Sequence, residues 1–206
     1  MRYILIFLLL WQYHAQAKTL RVNPCQIRVS AIRPAFPLTK FYGVVGDGPI
    51  HPMIEVGTSF NWNNSSKNCF FQSINMGFAY HRFLQSLLPV YTDLNYMRII
   101  TLKKQKVGVG LSLGAGYLHS FPLTDQFKMV NGVYEQVGRL GRSQAMLKIG
   151  AFISFKQFTF GYNNMIQTPF VKSYVPLMPY NCLSLSYTFN SNCCVSQTKK
   201  STDATK

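Results

Sequence analysis

Between residues 107 and 118 apolar and small residues alternate one for one. Val107, Val109, Leu111, Leu113, Ala115 and Tyr117 occupy one parity, and Gly108, Gly110, Ser112, Gly114 and Gly116 the other. A period of two is the signature of a strand, whose successive side chains point to opposite faces. A strand of a water-soluble sandwich carries Lys, Glu or Thr on the face away from its core. Here that face is nearly bare, which suits a tight interior and turns the large apolar side chains outward. An apolar exterior is stable in lipid, so the pattern predicts a transmembrane β-barrel.

The same alternation recurs often enough to predict eight strands, the first lying somewhere within residues 20–33. Over 53–62, Ile54, Val56, Phe60 and Trp62 face outward, and Glu55, Gly57, Ser59 and Asn61 inward. Over 70–82, Ile74, Met76, Phe78 and Tyr80 face outward, against Ser73, Asn75, Gly77, Ala79 and His81. Over 90–99, Val90, Leu94 and Tyr96 oppose Tyr91, Asp93 and Asn95. After 107–118 come 145–155, with Lys148, Gly150 and Ser154 inward, then 158–166 with Thr159, Gly161 and Asn163 inward. The last is 182–189, with Ser184, Ser186 and Thr188 inward. Most of these segments have the roughly 9–11 residues that a tilted strand needs to cross hydrocarbon.

Links 63–68, 101–106 and 156–157 are short and polar, whereas 83–89, 119–144 and 167–181 are longer or richer in Pro and aromatics. Short periplasmic turns alternating with longer outer loops are the mark of an antiparallel outer-membrane barrel. Trp62, Tyr80, Tyr96 and Tyr117 fall at strand ends, where aromatics form interfacial girdles.

Outside the strands, Arg2, the apolar run 4–11 and Ala15-Gln16-Ala17 read as a signal peptide over 1–17, cleaved near Ala17. Residues 18–189 then form a single barrel domain, and 190–206 a polar tail expected to be disordered. The formal charge is +15, or +14 once Arg2 is removed with the signal. For a secreted chain this favours anionic lipopolysaccharide or phospholipid headgroups over nucleic acid, unless the charges only solvate loops. Five cysteines (Cys25, Cys69, Cys182, Cys193 and Cys194) lack metal-ligand spacing, and their odd number leaves at least one unpaired in a monomer. An envelope location permits a disulfide, without selecting the pair.

The signal, the alternating strands and Leu183-Ser184-Leu185-Ser186-Tyr187-Thr188-Phe189 together resemble a small outer-membrane β-barrel protein of the Bacteroidota type. His51-Pro52, Tyr80-His81-Arg82 and residues 114–120 and 167–179 share the resemblance. The aromatic-ended segment is similar to the C-terminal strand read by the barrel-assembly machinery, which the resemblance implies as a partner during insertion. It implies no reaction.

An eight-stranded barrel is filled by side chains, so its few inward polar residues stand out. Glu55, Asn75, His81, Tyr91, Asp93, Asn95 and Lys148 would form a lumen network that satisfies its own charges. Alternatively, His81 with Asp93 or Glu55 could activate Ser120 in a lipid A acyl hydrolase or acyltransferase. A narrow small-solute channel is a third reading. On the outer loops, Lys172 and Tyr174, or Arg139 and Arg142 with Lys128, could meet phosphate or sugar. No nucleotide loop, dinucleotide fingerprint, zinc set or calcium loop is present, and no cofactor or metal is expected. The leading expectation is a monomeric, non-enzymatic barrel acting through its outer loops.

Overall fold

The computed structural model describes residues 21–35, 50–65, 67–81, 85–102, 105–123, 126–137, 141–169 and 177–189. The signal segment, the tail, Arg139, Lys172 and Tyr174 lie outside them, and among them there is no helix. Ten strands follow in chain order: β1 (Arg21–Pro34), β2 (His51–Asn64), β3 (Asn68–His81), β4 (Gln85–Leu102), β5 (Gln105–Pro122), β6 (Gln126–Val130), β7 (Val133–Val137), β8 (Arg142–Phe155), β9 (Phe158–Thr168) and β10 (Met178–Thr188). Eight close into a barrel in the order β1-β10-β9-β8-β5-β4-β3-β2, and β6 with β7 makes a separate hairpin. Every neighbouring pair in the barrel is antiparallel.

Sidedness follows the sequence pattern. Leu111 is 65% exposed and Leu113 61%, as are large parts of Ile54, Phe78, Ile149, Phe160 and Leu185. Opposite them, Glu55, Ser73, Asn75, Asp93, Asn95, Ser112, Lys148 and Asn163 are buried. Glycines on the inward parity make room for these polar groups. A Cβ on Gly114 would stand 2.0 Å from Asp93 Oδ1, and one on Gly150 2.1 Å from Asn163 Oδ1. The barrel is therefore inverted relative to a soluble protein, with apolar residues outside and polar residues within.

Three expected connections differ from the observed ones. The link placed over 83–89 is largely strand, because β4 begins at Gln85 and pairs with β5 from Gln85↔Pro122 onward. Pro89 masks the strand in the sequence: it has no N–H, and the β3–β4 ladder lapses between Met76↔Val90 and Ala79↔Leu87. The link 167–181 is likewise shortened, since β10 begins at Met178 and Tyr180 pairs with Met165 of β9. Within 119–144 sits the β6–β7 hairpin, closed by Asn131 and Gly132 at φ 51° and 83°. Both values are left-handed, as a two-residue hairpin turn of the matching twist requires. The first strand runs through Asn23, with its pairing to β2 shifting between Asn23 and Gln26, around Pro24.

Candidate functional site

The lumen is filled in layers. At the end where β1, β3, β5 and β9 finish and β2, β4, β8 and β10 begin, here called the loop end, Ile32, Met53, Leu87, Leu118, Met146 and Tyr180 pack as an apolar core. An amide layer belongs to the same half. Gln85 Nε2 donates to Gln167 Oε1 and to the Tyr180 hydroxyl, both at 3.0 Å, and that hydroxyl donates to Gln167 Oε1 at 3.1 Å. Gln167 Nε2 donates to Gln144 Oε1, which also accepts from Ser120 Oγ at 3.0 Å. The three Gln amides of this layer, Gln85, Gln144 and Gln167, are each thereby given partners, as a water-excluding seal demands.

Next to this seal lies a belt of charge, and Tyr91 is its hub. The Tyr91 hydroxyl donates to Glu55 Oε1 and accepts from Arg28 Nη1 at 2.8 Å and Lys148 Nζ at 3.1 Å. Glu55 Oε2 accepts from Ser30 Oγ at 3.4 Å and lies 3.5 Å from Arg28 Nη1. Lys148 Nζ forms a 2.8 Å ion pair with Asp93 Oδ2 and stands 4.5 Å from the centre of the Tyr91 ring. Asn75 Nδ2 donates to Asp93 Oδ2 at 3.4 Å and to Ser73 Oγ at 3.3 Å, and Asn95 Nδ2 to the same hydroxyl at 3.2 Å. Arg28 and Lys148 balance Glu55 and Asp93, so the belt is formally neutral. It joins β1, β2, β3, β4 and β8 across the barrel.

On the other side of the belt, a cavity continues to open solvent. Arg28, Asp93 and Lys148 line it, with Ser112, Asn163 and Phe152 among its walls. Cys69, Met97, Ile99 and Phe152 form a second small apolar cluster there. Cys69 is disulfide-bonded, whereas Cys25 and Cys182 are free thiols.

Of the residues singled out from the sequence, Glu55, Asn75, Tyr91, Asp93, Asn95 and Lys148 meet in the belt. His81 does not join them. It stacks on His51 at the loop end, with ring centroids 3.6 Å apart, leaving His81 Nδ1 and His51 Nε2 without hydrogen-bond partners. Ser120 is buried beside Gln144, and Arg142 is exposed at the start of β8. The four suggested hydrolytic residues are thus divided among three places: Asp93 and Glu55 in the belt, His81 against His51, and Ser120 in the amide layer. Sequence reasoning missed Arg28, whose strand it left unresolved, and the Gln85, Gln144, Gln167 and Tyr180 layer, which it assigned to links. Uncharged Gln gives no charge signal, although Gln167 follows the inward parity of Asn163 and Met165.

The fold and its lumen define a class: the small closed β-barrel with an apolar exterior and a charge-paired, hydrogen-bonded polar interior. Among solved structures, the chain is similar to the outer-membrane enzyme PagL, with 11% identity over 80% of this chain and 99% of that one and a TM-score of 0.49. It is similar also to Neisserial surface protein A, with 7% identity, 84% and 100% coverage and a TM-score of 0.48. A third likeness is to Ail, the attachment invasion locus protein of Yersinia pestis, with 13% identity, 82% and 98% coverage and a TM-score of 0.36. No protein-family model and no curated protein matches the chain.

Proposed function

We propose that the chain is an integral outer-membrane barrel, of the kind found in Bacteroidota envelopes, that conducts no solute and acts through its loop end. The observation carrying this reading is the pairing of an apolar exterior with a lumen stopped by two successive polar layers. An outward Leu111 or Ile54 costs free energy in water and gains it in lipid. A belt whose charges are internally matched holds the strands together and fills the cross-section of the lumen with paired side chains. The net positive charge fits anionic lipopolysaccharide headgroups as the partner, with Arg142 exposed at the base of the β6–β7 loop.

The reading is tested by fractionating cells and recording from the purified chain in planar bilayers. The protein is expected with the outer membrane, to migrate on gels as a heat-modifiable band, and to give a closed trace. Recovery in the soluble fraction, or stepwise conductance from the wild type, would refute it.

A further inference from the structure

Two polar side chains point the wrong way for this barrel. His119 and Ser143 are direct register partners across β5 and β8 on the outward parity, next to Tyr117. Ser143 Oγ lies 3.5 Å from His119 Nδ1, the Tyr117 hydroxyl lies 3.3 Å from the same nitrogen, and Tyr117 and Ser143 hydrogen-bond each other directly. Hydroxyls gathered on that side can donate to Nδ1 in the tautomer that carries the ring proton on Nε2. The ring is held in place: Phe121 meets it edge-on at 4.6 Å, and Tyr117 stacks at 6.3 Å. Gly141 leaves the space it occupies, since a Cβ there would come within 2.0 Å of His119 Nε2. None of this group takes part in the lumen seal, and Ser143 and Tyr117 are exposed.

Its position carries the chemistry. The group sits near the loop end of β5, where exposed Tyr117 and Phe121 form part of an aromatic girdle. Aromatic girdles lie at headgroup depth, which is also where the acyl esters of membrane lipids run. A hydroxyl beside an imidazole nitrogen placed to take its proton is the minimum machinery for acyl transfer.

We propose that Ser143, His119 and Tyr117 form an ester-hydrolysing site on the outer wall of the barrel, acting on an acyl ester of a membrane lipid. This rests on the reading that the exterior lies in a bilayer. Ser143 Oγ attacks the ester carbonyl carbon as His119 Nδ1 takes the hydroxyl proton. The lipid alkoxide leaves with that proton, and the acyl group remains on Ser143. Water then attacks the acyl-serine, passing a proton through His119 back to Ser143, and the fatty acid is released. Tyr117, beside Ser143 Oγ, is the donor for the carbonyl oxygen as it gains charge.

The test uses the full chain folded into vesicles of phosphatidylethanolamine and phosphatidylglycerol, and separately into vesicles containing lipopolysaccharide, with free fatty acid measured by mass spectrometry. Release is expected from one of the two, which identifies the lipid. Ser143→Ala and His119→Ala should each lower the rate at least about 100-fold, in line with the loss of a nucleophile or its base. Gly141→Ala should lower it by displacing the ring, whereas the lumen control Ser112→Ala should match wild type. A fluorophosphonate probe should give an adduct on the peptide carrying Ser143, a readout that needs no variant to fold. Inserted, heat-modifiable wild type that releases no fatty acid from either lipid overturns the site and leaves the membrane reading standing. So does a Ser143→Ala protein as active as wild type. Failure of the wild type to insert would instead overturn the membrane reading.

Discussion

Tyr91 shows how much one side chain can organise in a narrow lumen. Its hydroxyl serves Glu55, Arg28 and Lys148 at once, and its ring lies under the Lys148 ammonium. Tyr91→Phe keeps the ring and removes the shared oxygen, which leaves buried charged groups short of a partner. We expect it to destabilise the barrel by about 1–3 kcal/mol, read as a lower urea midpoint for loss of the heat-modifiable form. Asp93→Ala is the harsher change, because Asp93 is 1% exposed and its partner Lys148 6%. Stranding that ammonium should cost about 3–5 kcal/mol, whereas the paired change Asp93→Leu with Lys148→Met should recover most of it. If the double variant were as unstable as the single one, the ion pair would not be what Asp93 contributes. These residues were legible in the sequence because a charge on the inward parity of an otherwise bare strand stands out. Arg28 was not, since Pro24 and the shifted pairing after Asn23 break the alternation of its strand.

At the scale of the strand, period two carried nearly all the information, and the places where it faltered were the ends. Pro89 and Pro179 look like loop residues, yet both lie within strands, where a neighbouring ladder tolerates the missing donor. The Asn131-Gly132 pair between Val130 and Val133 was the available signal for the β6–β7 hairpin, and the basic residues around it drew attention instead. His119 and Ser120 illustrate the limit of neighbour reasoning. Adjacent strand residues face opposite ways, so Ser120 turns into the amide layer while His119 meets Ser143 from the next strand. Only cross-strand register could reveal that pair. The two faces of β5 also make a quantitative contrast. Leu111→Lys, on the outer face, should destabilise the inserted barrel by about 2–4 kcal/mol. Gly110→Val, on the inner face, should cost about 1–3 kcal/mol by overpacking. The added Cβ of the valine would fall 2.4 Å from Phe152 Cζ and 2.5 Å from the Tyr96 carbonyl oxygen. In detergent-free aqueous buffer the first change should instead improve solubility, and equal behaviour of the two variants in both media would contradict the assignment of faces.

For the molecule as a whole, the layers along the axis set what can pass. From the loop end inward there is an apolar core with its amide layer, then the charged belt, then a cavity of mixed polar and apolar walls open to solvent. Such a barrel is a stoppered cup. Tyr91→Ala, which removes the hub and its ring, should be the smallest change that lets ions reach the amide layer. The amide layer still closes the path, so the planar-bilayer trace should stay flat, and steady openings from this single variant would place the seal in the belt alone. The central claim concerns the direction of the apolar side chains, and it is tested most directly by labelling the native chain from within the membrane. A carbene generated on the acyl chains of a photoactivatable lipid, followed by peptide mass spectrometry, should mark Ile54, Leu111, Leu113, Phe160 and Leu185 and spare Ser73, Asn95, Ser112 and Asn163. Marking of the second set with sparing of the first would mean that the barrel does not present its apolar face to lipid.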